Sequence, residues 1–157
     1  MKFFRRKKKQ TPTIPESFVV PPFEYHPKII LAWAKGIEGN QDLLNYLWEN
    51  DFKELVIASH AIHLKDDARK WLMENGFPHF MAFIRAAEGD TVALSWLKVH
   101  GFDLFYNMAL AIEGNNEGFK WINVNSTQEI FMLTRIIKAV KDEIEHDHNE
   151  THKRSRK

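Results

Sequence analysis

Hydrophobic positions recur along this chain in two alternating patterns. The stretches IILAWAKGI, LVIASHAI, FMAFIRAA, FYNMALAI and IFMLTRII carry apolar residues at i, i+3 or i+4, and i+7, which lays a stripe along one helical face. Between them lie QDLLNYLWEN, DDARKWLMEN, TVALSWLKVH and NEGFKWINVN, each predicting a short second helix of about ten residues. The two patterns share one register. Trp71, Trp96 and Trp121 are spaced 25 residues apart, with Tyr46 in the same column one step earlier. The next column reads Leu47, Leu72, Leu97, Ile122, and a third reads Phe52, Phe77, Phe102, Thr127. A fixed period of this length predicts stacked repeats.

The register defines units at Lys28–Phe52, Lys53–Phe77, Pro78–Phe102 and Asp103–Thr127, then a half-unit from Gln128 to about Asp147. One column of the first helices is small: Gly36, Ala61, Ala86, Ala111. Small side chains at one level let the next helix approach closely. The column ends at Ile136, which suits a final helix with no successor. The turn inside each unit reads Glu38-Gly39-Asn40, His63-Leu64-Lys65, Glu88-Gly89-Asp90 and Glu113-Gly114-Asn115. Gly past a helix end takes the left-handed conformation cheaply, and Asn or Asp then caps the next helix. The second unit lacks both, and offers Asp66 and Asp67 to the helix dipole instead. The fourth second helix is the weakest, with Gly118 inside it. The expected fold is all-α: an α-solenoid of about nine antiparallel helices in 25-residue helix-turn-helix repeats.

AAEGDTVALSWLKVHGF, from Ala86 to Phe102, resembles the helical part of an ankyrin repeat. Two alanines, a Gly-containing turn, an apolar second helix and a closing Gly follow in that order. AIEGNNEGFKWI and DDARKWLMENGF are similar. An ankyrin repeat has 33 residues, a Thr-Pro-Leu-His opening and a β-hairpin finger. These units are about eight residues shorter, lack that opening, and have Phe after the Gly, so a tight helix–helix turn takes the finger's place. The resemblance covers roughly Lys28–Asp147. It implies partner binding and carries over no catalytic residue.

Composition changes this picture little. Apolar residues make up 44% of the 157, ample for one helical domain. There is no Cys, hence no disulfide framework and no thiol chemistry. No apolar run is long enough to span a membrane. MKFFRRKKK has the charge of a secretory signal with no apolar stretch behind it, so the expected location is cytoplasmic.

The net charge of +1 conceals a segregation. Ten of the 22 basic residues lie within 2–9 and 153–157, and all 21 acidic residues lie between. Residues 1–27 read as a basic, Pro-rich, disordered segment, 28–147 as the repeat domain, and 148–157 as a basic disordered tail. Within the first segment, Phe18-Val19-Val20 with Phe23 and Tyr25 suit a cap on the exposed side of the first repeat. Arg5, Arg6, Lys7, Lys8 and Lys9 suit weak contact with anionic lipid or nucleic-acid phosphates, or a solubilising tail.

Candidate chemistry is sparse. His60 and His63 stand at i, i+3 near Asp66 and Asp67, and Glu143 and His146 have Glu-x-x-His spacing. A di-iron bundle needs a second such motif and further Glu residues, and none follows. These histidines, with His148 and His152, read as surface residues. No nucleophile–base pair or phosphate-binding Gly loop is present, so no enzyme activity, metal or cofactor is expected. The aromatic columns read as core, with Trp96 buried between units. A recognition surface falls instead on the polar column of the first helices: Lys35, His60, Arg85 and Arg135, with Leu110 in the fourth unit. The function expected is a non-enzymatic protein- or peptide-binding module. The alternative is a structural or regulatory component held on membrane or nucleic acid by its basic tail.

Overall fold

The computed structural model describes residues 25–155. Among them nine helices and no strands occur. The four pairs are α1 (Pro27–Ile37) with α2 (Gln41–Glu49), α3 (Lys53–Ile62) with α4 (Asp66–Glu74), α5 (Pro78–Ala87) with α6 (Thr91–Val99), and α7 (Asp103–Ile112) with α8 (Asn116–Asn125). The last helix, α9 (Gln128–Ser155), stands alone. Segments 1–24 and 156–157 lie outside the described residues, and with them the expected cap of Phe18-Val19-Val20 and Phe23 and the expected contacts of Arg5, Arg6, Lys7, Lys8 and Lys9.

One device ends the first seven helices. At α1, α3, α5 and α7 the N–H of Asn40, Lys65, Asp90 and Asn115 bonds to the carbonyl of Lys35, His60, Arg85 and Leu110, five residues back. At α2, α4 and α6 Phe52, Phe77 and Phe102 do the same to Leu47, Leu72 and Leu97. This is the Schellman bond, and it requires a left-handed residue just before the donor. Gly39, Gly76, Gly89, Gly101 and Gly114 fill five of these positions, while Asp51 (φ 69°) and Leu64 (φ 67°) take the conformation without being glycine. Only a few residues thus separate successive helices, with no room for a finger. Asn40, Asp90 and Asn115 then cap α2, α6 and α8 through their side chains; Lys65 gives α4 no such bond.

The core is built from the first helices and one column of the second. Leu47, Leu72, Leu97 and Ile122 are fully buried. Trp96 corrects the sequence reading: it is half-buried, as are Trp71 and Trp121. One residue is a 100° turn of helix, so with Leu97 aimed inward Trp96 falls at the edge. There its ring stacks on Phe102 with centroids 5.5 Å apart, and Trp71 stacks likewise on Phe77 at 5.8 Å. Phe102 and Phe52 are buried at the unit boundaries, whereas Thr127 is exposed and turns to capping, accepting from the Ile130 N–H.

Neighbouring first helices pack in sequence, and α9 packs on α1 as well as on α7, so the row of first helices closes into a ring. Inside it Trp33 of α1 meets Phe80 of α5, and Phe83 of α5 stacks on Phe105 of α7 at 4.8 Å. The side of the first repeat that the periodicity leaves bare is therefore occupied by α9. That helix also runs on past Asp147 to Ser155, through the residues expected as a tail. It contains neither Gly nor Pro to stop it, and Lys138–Asp142, Lys141–Glu145 and Lys153–Glu150 pairs tie its turns together.

Candidate functional site

Lys35, His60 and Arg85 sit in the last turn of α1, α3 and α5, and Arg135 holds the same register on α9. All four side chains are exposed. The reason is local: their neighbours Ala34 and Gly36, Ser59 and Ala61, and Ile84 and Ala86 are buried, so the polar residue is left facing out. Leu110 in the fourth unit is half-buried and interrupts the row. A cation in the last turn also complements the helix dipole, so position alone accounts for part of the pattern. Lys35 is additionally paired with Glu38 at 3.2 Å.

Closure of the ring brings the two ends of this row together. Arg135 and Glu38 line one cleft, of about 770 Å³, between α9, the end of α8 and the end of α1. Phe131, Met132, Ile136 and Val140 form its apolar floor, and Glu143 stands at the far end. The sequence carried one signal for it, the replacement of the small column by Ile136. A second cleft, about 450 Å³, lies between the extension of α9 and the ends of α3 and α5, bordered by Ile62, Leu64, Ile144 and His148.

Side chains from the same or a neighbouring unit hold the C-terminal ends of the first helices. His63 Nε2 lies 2.9 Å from the Ile37 carbonyl, and Lys138 donates to that of Ile112 at 3.4 Å. Arg69 donates to the Ala61 carbonyl and to both oxygens of Glu88, at 2.9 and 2.7 Å. Lys141, buried in the middle of α9, reaches Glu113 at 3.0 Å and Glu145 at 3.4 Å. These contacts engage His63, Arg69, Glu88, Glu113, Lys138 and Lys141 in holding the fold.

The metal candidates come apart in the fold. His60 is exposed, while His63 is engaged with Ile37. His148 and His152 bring their Nε2 atoms to 3.0 Å on one exposed face of α9. Among the described residues no group of three potential ligands forms. No described helix is long and apolar enough to cross a membrane. On the outer side Trp48 is 49% exposed, with Lys53 Nζ 4.7 Å above its ring.

Comparison with protein-family models, with curated proteins and with solved structures finds no match for this chain.

Proposed function

We propose that the protein is a non-enzymatic interaction module, an adaptor or scaffold, that binds an acidic protein or peptide through Lys35, His60, Arg85 and Arg135. One observation carries this reading. Polar residues hold one level of the first three units and of α9 and face outward, with Leu110 between them in the fourth unit, while most positions beside them are consumed by packing. The same order of Gly turn, apolar second helix and closing Gly supports counting the units as shortened, fingerless ankyrin-like repeats. Nothing in this reading requires a reaction or a cofactor.

Arg85 is the test residue, because interface energy concentrates near the middle of a patch. Affinity capture from the native cell with wild type and Arg85→Glu baits should show one or more proteins retained by the first and lost from the second. A surface ion pair contributes about 0–1 kcal/mol, so a larger loss marks a desolvated contact. Equal capture by both baits removes the ridge from the interface. The alternative, attachment through Arg5, Arg6, Lys7, Lys8 and Lys9, is tested by binding to anionic vesicles and to nucleic acid across a salt series, with and without residues 1–10. Only that mode loses its salt dependence on truncation.

A further inference from the structure

In each of the four complete units a second helix covers the face that bears the small column. Leu44 of α2 packs on Gly36, and Gly118 of α8 lies on the backbone of Ala111. On α9 the corresponding face is the open 770 Å³ cleft. Ile136, half-buried where earlier units have Gly or Ala, holds a covering helix away at that level. One turn later Ala139 is exposed and small. The point of closest approach therefore moves along α9 from 136 to Ala139.

The charges around Ala139 are self-complementary. Arg135 and Glu143 are both exposed, stand four residues before and four after it, and form no ion pair with any described residue. Two α9 helices packed antiparallel about a twofold axis at Ala139 set Arg135 of each copy opposite Glu143 of the other, so both pairs form at once. The same register places Asp147 and Glu150 of one copy beside residues 128–131 of the other. Those residues are the first turn of α9, where the helix dipole favours negative charge. A shift toward the centre of the apolar floor instead opposes Arg135 to its own copy.

We infer that this face of α9 joins two copies of the chain, the second copy's α9 taking the place of a tenth helix. Arg135, at the end of the row, serves the dimer and in the monomer completes the binding row of Lys35, His60 and Arg85.

Sedimentation equilibrium on the full chain tests this, with circular dichroism showing that each variant keeps its helix content. Wild type is expected to dimerise reversibly, less so as salt is raised. Arg135→Glu and Glu143→Arg each spoil two symmetric pairs, and each should weaken the dimer roughly tenfold or more. The double reversal restores the pairs with opposite sense and should recover it. Ala139→Arg, with bulk on the axis, should leave monomer. A monomeric wild type, a dimer indifferent to both single reversals, or a double variant no better than the singles overturns the inference. So does a chain that dimerises only after residues 1–24 are removed, since that segment is then the occupant. The outcome is separable from the proposed function, which is read from Arg85→Glu.

Discussion

The indole of Trp33 meets the ring of Phe80 edge-on, with centroids 6.0 Å apart, although the two belong to units that are not neighbours in the repeat. Trp33 also donates to the Ser59 hydroxyl at 3.0 Å, and Ser59 in turn donates to the Leu55 carbonyl. One side chain thus links α1, α3 and α5. Trp33→Ala should cost about 3–5 kcal/mol in chemical denaturation, the usual range for an emptied aromatic core site. Trp96→Ala, at a half-buried edge, should cost distinctly less. The reverse order would mean that the centre of the ring is not the stabilising core.

Gly118 is a point of close approach between α7 and α8. A Cβ there would lie 2.3 Å from the Asn107 carbonyl oxygen and 2.5 Å from the Ala111 nitrogen, both backbone atoms that cannot rotate away. Ala is the better helix former by about 1 kcal/mol, yet overpacking costs typically 1–3 kcal/mol, occasionally more. Gly118→Ala should therefore lower stability on balance. A rise in melting temperature would show that the two helices part easily.

The second unit departs from its siblings at Leu64 and Lys65. Leu64 holds φ 67° without being glycine, and Lys65 leaves α4 without a side-chain cap. Leu64→Gly relieves a left-handed residue at some cost in chain entropy. Lys65→Asn supplies a cap of about 1 kcal/mol. The double variant should be more stable by roughly 1–2 kcal/mol in urea titration. No gain would imply that the Leu64 side chain, on the rim of the second cleft, contributes packing of similar size.

Arg69 spans two units through its fork. Its two bonds to Glu88 and those to the Ala61 carbonyl need a planar, five-donor group. Arg69→Ala should cost about 1.5–3 kcal/mol, as for a partly buried charge-assisted bond. Arg69→Lys should recover little of it. A double-mutant cycle with Glu88→Gln isolates the pair, and a coupling indistinguishable from zero would make it a surface contact only.

Much of the architecture was legible in the 25-residue register, because it rests on local physics. Apolar period, Gly at the helix stop and Asn or Asp at the next cap act within a few residues of chain; Gly recurs at five of the seven stops and Asn or Asp at three of the four caps. The exposure of Lys35, His60, Arg85 and Arg135 was legible for the same reason, since a polar residue amid small and apolar ones faces out of a helix. Tertiary structure decided the rest. Whether Trp96 or Leu97 points inward depends on the angle at which α6 lies on α5 and α7, which no local pattern carries. That α9 returns to α1 depends on the rotation accumulated over four units, a sum of small packing angles. Closure turns Glu38 and Arg135, 97 residues apart in the chain, into walls of one cleft. It also makes the face beside Ile136 a cleft rather than the bare end of a stack.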